Sequence, residues 1–270
     1  MDVVKKLHSQ IEYEAYKRCG IKHQTANDCI ECCSKPYFEQ IAIDYTCPQK
    51  RKIYVARYAP AYISEIYSAL VRTPKKFICA MLEKTEINVA SIGGGPGTDI
   101  AAFKKWISTK IEDNDSLEKV RFLRVDINED WDDISPKLIN LYETSHIEFE
   151  YKKIVKDIYK QPINANSFNS FDVIILSYVI SEMNQDEIYL VAKHISEVIS
   201  EKTLVVVNDR PQNLVKQKID TLIEMIGGEA KIIDPSERDH CGEFYPDEIY
   251  NMVGPTIFRK SIRYNVLVER

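Results

Sequence analysis

A glycine-rich turn constrains the fold of this chain more than any other feature. The segment Val89-Ala-Ser-Ile-Gly-Gly-Gly-Pro-Gly-Thr-Asp99 places a short apolar run before Gly93, Gly95 and Gly97, and helix-compatible residues after them. Glycine lets the backbone turn sharply and approach a ligand without a Cβ in the way. The first N–H groups of a following helix have no partners within the helix. We therefore predict a strand, a ligand-binding turn and a helix here.

The spacing of these glycines argues against two common nucleotide sites. A dinucleotide fingerprint, Gly-x-Gly-x-x-Gly, would need a last glycine at position 98, where the chain has Thr98. The Lys-Ser/Thr pair that ends a P-loop is also missing from this turn. Binding of NAD or ATP at this turn is therefore disfavoured.

Short apolar runs alternate with helical stretches from residue 87 onward. This order predicts βαβ units and a mostly parallel sheet with right-handed crossovers. The tail, Ile257–Val268, alternates in a way that predicts a last strand, possibly antiparallel. The predicted strands are Ile87–Ile92, Val120–Val125, Ile147–Val155, Val173–Leu176 and Thr203–Val207, and the predicted helices are Asp99–Lys110, Ser135–Glu143 and Gln185–Ser200.

The first 74 residues show no convincing strand. Apolar residues from Val4 to Ala15 recur every three or four positions, which predicts an amphipathic helix ending near Gly20. A polar, cysteine-containing loop is expected from about Ile21 to Pro36. A second helix is expected to start around Pro60, because proline is tolerated in a first helical turn. We predict a helical extension over residues 1–74 and an α/β domain over 75–270.

Composition narrows the class of protein. Hydrophobic residues make up 44% and charged residues 29% of the 270, which is ordinary for a globular chain and unlike a disordered one. No apolar run approaches the length of a transmembrane helix. Seven cysteines, an odd number, and a charged first segment without a signal peptide favour a reducing, cytoplasmic location.

The Gly-x-Gly-x-Gly spacing after an apolar strand resembles motif I of the class I S-adenosylmethionine-dependent methyltransferases. The resemblance extends through most of residues 87–210. It implies a Rossmann-like α/β fold: a mostly parallel seven-stranded sheet with helices on both faces, here with an N-terminal helical cap. It also implies S-adenosylmethionine as cofactor and S-adenosylhomocysteine as product, with Gly93, Gly95 and Gly97 passing under the methionine part.

Two acidic residues follow the second and third predicted strands, where that family binds the rest of its cofactor. The resemblance assigns Asp126 to the ribose hydroxyls, and a carboxylate can accept two hydrogen bonds from a cis-diol. It assigns Asp157 to the adenine amino group and the backbone of Ile158 to the adenine ring. The interval from Gly97 to Asp126 is longer than the usual ~20 residues; the polar insert 112–116 can absorb the excess as a loop.

The loop after the fourth strand supplies the catalytic candidates. Ser177 is predicted to contact the cofactor, Tyr178 to wall the methyl group, and Glu182 to accept a proton or bind a cationic amine. The alternatives are that Tyr178 packs beside the adenine and that Glu182 caps the following helix. Asp209 ends the fifth strand, on the rim where open α/β sheets bind ligands, and is a candidate substrate contact.

Further candidates lie outside the central strands. Arg57, Tyr58 and Tyr62 precede the core domain and could fold over the cofactor, with Arg57 on the methionine carboxylate and both tyrosines on the substrate. They could equally serve only to pack the helix on the sheet. His240, on a late loop, could contact substrate or act as a base near neutral pH.

A cysteine cluster in the first segment admits two readings. Cys29, Cys32 and Cys33, with His23 before them and Cys47 after, have zinc-knuckle spacing on one side only. Because a second tight pair is missing, we expect free thiols and no metal site.

Three functions fit these observations. The first is methyl transfer to N or O of a small molecule, with an amine suited to aromatic walls. The second is an RNA methyltransferase or ribosome-assembly factor, because residues 1–74 hold 11 Lys/Arg against 8 Asp/Glu while the chain as a whole is at −5. The third is a catalytically silent binding protein with the same fold. Oligomeric state is left open by the sequence.

Overall fold

The computed structural model describes residues 2–21, 23, 25–39, 44–111, 116–143, 146–163, 168–233 and 261–270. Its helices are α1 (Asp2–Ser9), α2 (Cys29–Glu39), α3 (Pro48–Val71), α4 (Lys75–Leu82), α5 (Thr98–Ser108), α6 (Ser135–Ile139), α7 (Gln185–Ser196) and α8 (Asn213–Ile226). Its strands are β1 (Glu86–Ile92), β2 (Lys119–Asp126), β3 (Glu148–Val155), β4 (Phe171–Ser177), β5 (Ile199–Asp209), β6 (Glu229–Ile233) and β7 (Ile262–Glu269).

Seven strands form one sheet in the order β3-β2-β1-β4-β5-β7-β6. The first five are mutually parallel, and β7 runs antiparallel to both β5 and β6. Helices α3, α4 and α5 bury apolar side chains against one face of the sheet, and α7 and α8 do so against the other. This is the Rossmann-like, mostly parallel seven-stranded fold that the sequence predicted, including the antiparallel last strand.

The strand order β2-β1-β4 indicates at which edge of the sheet a ligand is expected. The chain turns back between β1 and β4, because β2 and β3 extend the sheet in one direction and β4 and β5 in the other. In open α/β sheets the crevice outside the carboxyl ends of the strands at such a switch point is where ligands bind. The turn after β1 and the loops after β2 and β4 all open there.

The N-terminal segment differs from its prediction in three places. The single helix expected from Val4 to near Gly20 is α1 followed by a 3₁₀ turn at Tyr13–Arg18, because the N–H of Glu12 bonds to the Gln49 side chain instead of continuing a helix. Part of the expected 21–36 loop is α2, where the Asp28 carboxylate accepts a bond from the N–H of Glu31 and caps the helix.

The third difference concerns α3, which was predicted to start around Pro60. It starts at Pro48, twelve residues earlier, and carries Pro60 in its interior. An interior proline removes one backbone hydrogen bond and is usually costly. Here residues 58–66 are almost entirely buried, so tertiary packing outweighs that local cost. The first half of α3 packs with α1 and α2 and its second half with the sheet; the division at residue 74 stays a prediction.

Besides α2, two helices and one strand were not predicted: α4, α8 and β6. Several predicted elements also have shifted ends. The second predicted helix in the α/β part ends at Ile139 rather than Glu143, and the third, from Gln185, ends at Ser196 because β5 starts at Ile199. Among the described helices, none combines the length and the apolarity needed to cross a membrane.

Candidate functional site

The glycine-rich turn adopts a conformation that few other residues tolerate. Gly93, Gly95 and Gly97 have φ values of 62°, 45° and 90°, in the left-handed region. A Cβ on Gly97 would stand 2.8 Å from Cγ1 of Ile139, so this position is also sterically closed. A Cβ on Gly95 would instead meet open space, with Trp131 at 4.0 Å its nearest neighbour among the described atoms. Among the three glycines of this turn with positive φ, Gly95 is therefore the one with open space beside it.

The buried side chain of Arg124 stabilises this turn through hydrogen bonds. The Arg124 guanidinium donates to the carbonyl oxygen of Gly95 at 2.7 Å, to Asp132 Oδ1 at 2.6 Å and to the hydroxyl of Ser135. Arg124 is almost fully buried in β2. Sequence reasoning missed it, although an arginine within an apolar strand run, Val120–Val125, is the type of residue that needs several partners.

Asp126 lies at the end of β2, beside the turn, as predicted. Its Oδ2 accepts the N–H of Gly95 at 2.7 Å and its Oδ1 accepts the N–H of Asn128 at 2.8 Å. A carboxylate has about four acceptor positions, so these two bonds do not exhaust its capacity. Burial raises the pKa of this carboxyl, and the two N–H groups and Arg124 oppose the rise. The next residue, Ile127, is 67% exposed, an unusual state for an apolar side chain beside a cleft.

The acidic residue after β3 has local partners. The Asp157 carboxylate pairs with Lys160 Nζ at 2.8 Å and accepts the N–H of Tyr159 at 3.1 Å, and these contacts lower its pKa. The Ile158 side chain is buried in the core, and its carbonyl oxygen lies 3.0 Å from Nδ1 of His194. The structure therefore fixes this turn tightly, with the Asp157 side chain turned to its own segment.

The loop after β4 starts with a strained tyrosine. Tyr178 has φ 57°, the one positive value among the described non-glycine residues. Such backbone costs about 1–3 kcal/mol and is retained where surrounding contacts impose it. The N–H of Tyr178 bonds to the carbonyl oxygen of Asn208 at 2.8 Å, and its hydroxyl donates to Glu65 Oε2 at 2.9 Å. The preceding Ser177 accepts a bond from the Asn208 amide at 3.2 Å.

Glu182 ends the 3₁₀ turn Ile180–Glu182 that follows. Its side chain is accessible to solvent, yet enough protein surrounds the carboxyl that desolvation raises its pKa; Asp209 adds to the rise and Arg210 opposes it. The capping box of α7 is formed by Asn184 and Glu187, so the alternative in which Glu182 caps that helix is wrong.

A row of aromatic rings runs along α3 above the carboxyl ends of the strands. Tyr54, Tyr58 and Tyr62 share one face of the helix, and consecutive ring centroids along it are 5.0 and 5.5 Å apart. At one end Tyr62 stacks on Tyr178 at 4.3 Å, and at the other Tyr54 lies 5.3 Å from Trp131. The row thus connects the loop after β4, through Tyr178, with the turn after β2, through Trp131.

Glu65 lies on the same helix, one turn beyond Tyr62. The side chain is 1% exposed, and Oε2 accepts bonds from the Tyr178 hydroxyl and from Asn208 Nδ2, both at 2.9 Å. Burial raises its pKa to about 7, against the opposing effects of these bonds, Arg263 and Ser261. Sequence reasoning missed this residue. The available signal was a lone carboxylate within the otherwise uncharged stretch 58–71.

The remaining predicted residues divide into three cases. Asp209 is fully buried, and its two oxygens accept the N–H groups of Ser181 and Arg210 at 2.9 and 2.7 Å, which fastens the β4 loop to β5. Arg57 is half-buried on α3, with its guanidinium 5.5 Å from the ring centre of Tyr58. His240 lies outside the described residues.

The cysteine cluster is packed in the N-terminal helices. Cys29, Cys32, Cys33 and Cys47 are all buried. Burial raises the pKa of Cys29 to about 11 and that of Cys33 to about 12, so both are neutral thiols at physiological pH. Within the described part of the chain, no group of three or more His, Cys, Asp or Glu side chains is arranged to hold a metal ion.

The strand order defines a Rossmann-like fold, a class in which ligands bind at the carboxyl ends of the strands. No protein-family model matches the chain, and no curated protein matches its sequence. Solved structures of similar fold include the plantazolicin methyltransferase BpumL in complex with S-adenosylhomocysteine, at 13% identity, full coverage of both chains and a TM-score of 0.48.

Two further solved structures of similar fold are also methyltransferases. Magnesium protoporphyrin IX methyltransferase from Synechocystis, with bound S-adenosylmethionine, is 11% identical; 91% of this chain and 99% of that one are covered, with a TM-score of 0.49. The N-methyltransferase NodS from Bradyrhizobium japonicum is 11% identical, with 76% and 86% covered and a TM-score of 0.44. These structures resemble the chain in general fold only, and the resemblance does not indicate a substrate.

Proposed function

We propose that this chain is an S-adenosylmethionine-dependent methyltransferase that methylates N or O of a small molecule. The observation that carries the proposal is the contact between the Gly95 N–H and the Asp126 carboxylate, beside open space that a Cβ would enter. An exposed glycine backbone and a carboxylate with spare acceptor capacity therefore face one crevice at the switch point of the sheet.

The residues of the crevice fit the chemistry of this cofactor. The Asp126 carboxylate accepts the N–H groups of Gly95 and Asn128 at the end of β2, and a carboxylate is the acceptor that the hydroxyls of a ribose require. Ile127 offers an exposed apolar surface for a flat ring. Gly93, Gly95 and Gly97 supply a turn without side chains for the methionine part, and the N-terminus of α5 follows directly. When bound, the cofactor supplies an electrophilic methyl group.

The assignments to Asp157, Ile158 and Ser177 remain part of this proposal. The carboxylate of Asp157 would have to exchange its contact with Lys160 for a ligand, whereas the backbone at Ile158 is held in place by His194. Arg57 remains the candidate for the methionine carboxylate, because its charge lies on the face of α3 next to Tyr58.

The acceptor is expected to meet the aromatic row. Tyr58 and Tyr62 are buried against one another and Tyr178, which makes a rigid apolar wall, while the accessible Glu182 adds a negative charge near its end. Ring faces beside a carboxylate favour a flat or cationic small molecule such as an amine. Tyr178 and Glu182 are the proposed catalytic contacts. Asp209 contributes by positioning, and His240 stays a prediction.

A transfer assay with methyl-labelled S-adenosylmethionine tests this function. Panels of small amines and phenols are compared with RNA of mixed sequence as acceptors, and the expected result is label in a small-molecule product only. Label transferred to RNA alone would replace the acceptor class. No transfer to any acceptor, together with no cofactor binding, would refute the enzyme.

Two glycine variants provide a matched pair for the same test. Gly95 and Gly227 both have positive φ, and a Cβ on Gly227 would meet no described atom within 4 Å. Each change to alanine therefore carries a similar backbone cost, about 1 kcal/mol. Only Gly95→Ala fills the crevice, so it is expected to weaken cofactor binding at least tenfold while Gly227→Ala binds as wild type. Equal binding by both variants would contradict the proposed cofactor position.

A further inference from the structure

The carboxyl group of Glu65 is buried at the centre of a hydrogen-bonded group that no sequence motif indicated. It lies on α3, and its partners come from two different strands: Tyr178 follows β4, and Asn208 belongs to β5. Oε2 accepts both of these bonds. For Oε1, no donor among the described residues meets the distance and angle of a hydrogen bond. Oε2 is therefore the oxygen that the Tyr178 proton can reach along an existing hydrogen bond.

The contacts of Tyr178 hold its hydroxyl toward this carboxylate. The residue is fixed by the Asn208 carbonyl at its N–H, by the Tyr62 ring at its own ring and by Glu65 at its hydroxyl. Its φ of 57° shows that these contacts outweigh a backbone penalty. A phenol that donates to a carboxylate becomes a better acceptor on its oxygen, because hydrogen bonds in a chain polarise one another.

The charge state of Glu65 responds to its surroundings near neutral pH. Burial raises its pKa to about 7, so protonated and ionised forms coexist there. The groups that face it are the Tyr178 phenol from the β4 loop, the Asn208 amide of β5, Ser261, and Arg263 of β7, whose positive charge favours the ionised form. A second positive charge in the crevice would favour that form further.

We propose that Glu65 is the terminal proton acceptor of this site, reached through the hydroxyl of Tyr178. The inference rests on the proposed function. As the acceptor atom gains its methyl group, its proton passes to the Tyr178 oxygen, and the proton of Tyr178 passes to Oε2 of Glu65. The carboxylate becomes a neutral carboxylic acid, and Tyr178 ends as a neutral phenol. The loss of one negative charge at Glu65 balances the loss of the cofactor's positive charge.

This role specifies the acceptor more closely than the fold does. The atom to be methylated must carry a proton that it loses in the reaction, as a hydroxyl or an amine does. An acceptor that is already an anion, such as a carboxylate, would not need Glu65. The structure thus favours hydroxyl and amine acceptors within the small-molecule class.

Calorimetric titration in buffers of different ionisation enthalpy tests the inference without a known acceptor. S-adenosylmethionine is a cation and S-adenosylhomocysteine lacks the sulfonium charge, so the difference in protons released on binding reports a group near that charge. If the cation lowers the Glu65 pKa by one unit, the wild type releases about 0.4 proton more with the first ligand at pH 7. At pH 9, where Glu65 is already ionised, the difference disappears.

Two variants assign the released proton. Glu65→Gln keeps an oxygen that can accept from Tyr178 and Asn208 but cannot titrate, so both ligands should bind and the difference should vanish. Asp99→Asn removes another buried carboxyl, whose pKa is also raised to about 7, and should leave the difference intact. A difference that survives Glu65→Gln, or that Asp99→Asn abolishes, overturns the inference.

The same titration separates this inference from the function on which it rests. Binding of neither ligand by the wild type refutes the proposed function, and the inference falls with it. Binding of both ligands without any difference in proton release at pH 7 refutes the role of Glu65 alone. If Glu65→Gln fails to fold, the comparison of wild type at pH 7 and pH 9 together with Asp99→Asn still decides the case.

Discussion

Replacing Asp99 by asparagine should make the protein more stable, and increasingly so as the pH rises. Asp99 is the second residue of α5, directly behind the glycine-rich turn, and is 2% exposed. Its Oδ2 accepts the Ser91 hydroxyl at 2.9 Å, and Oδ1 has no partner among the described residues. Burial, with a smaller contribution from Asp126, raises the pKa from 3.8 to about 7.

The direction of this pH dependence depends on how tightly Asp99 holds its proton in the folded and in the unfolded chain. Between pH 4 and pH 7 the unfolded chain loses the Asp99 proton while the folded chain keeps it, so the free energy of unfolding falls as the pH rises. The full effect of a shift of about three units is at most about 4 kcal/mol, and about 2–3 kcal/mol of it falls between pH 5 and pH 8. Asparagine does not titrate, and its amide oxygen can still accept from Ser91.

Urea unfolding followed by circular dichroism at pH 5, 6, 7 and 8 measures this effect. The stability of Asp99→Asn relative to wild type should rise steadily across the series. Glu150→Gln is the control: its pKa is lowered to about 2 by Lys152 and Lys119, so its difference from wild type should stay flat over this range. A flat or falling difference for Asp99→Asn would show that burial does not keep the Asp99 carboxyl neutral in the folded protein.

Three other substitutions or labels test single features of the structure. Gly97→Ala combines a φ of 90° with a Cβ 2.8 Å from a neighbouring side chain and should cost about 2–4 kcal/mol in thermal unfolding, more than Gly227→Ala, whose cost is backbone strain alone. Arg51→Lys loses a two-point contact with Asp133 (2.9 and 3.3 Å) at a buried site and should lower stability by about 1–3 kcal/mol; an unchanged melting temperature would contradict this. A thiol reagent should label the exposed Cys79 rapidly in the native protein, and Cys79→Ser should remove this rapid labelling. Mass spectrometry of the labelled peptides measures it.

The parts of the fold that the sequence predicted are those set by local patterns. The strand order along the chain, the turn at Gly93–Gly97 and the acidic end of β2 each depend on a few adjacent residues, and each lies where it was expected. The last strand was predicted from the alternation in residues 257–268, with an antiparallel direction as one possibility, and β7 is antiparallel. Such features are visible because period and glycine spacing act over short distances.

The parts that were missed depend on tertiary contacts. Local preference at Pro60 predicted a helix start, but packing carries α3 through that proline from Pro48. With the early start unrecognised, Tyr58 and Tyr62 were grouped as candidates, but Tyr54 was not placed on the same helix face. The contact of Glu65 with Tyr178 spans 113 residues, and no local pattern encodes it. The strand β6 is short, and four of its five residues are exposed, which leaves little apolar periodicity to detect.

The proposed cofactor site at Gly95 and Asp126 is best tested by calorimetric titration with S-adenosylmethionine and S-adenosylhomocysteine. Wild type and Asp126→Ala are compared, with circular dichroism to establish that both are folded. We expect micromolar binding of both ligands by the wild type and a loss of at least tenfold in Asp126→Ala, because the carboxylate that orients Gly95 and would accept the ribose hydroxyls is gone. Absence of binding by the folded wild type, or equal binding by the variant, would contradict it.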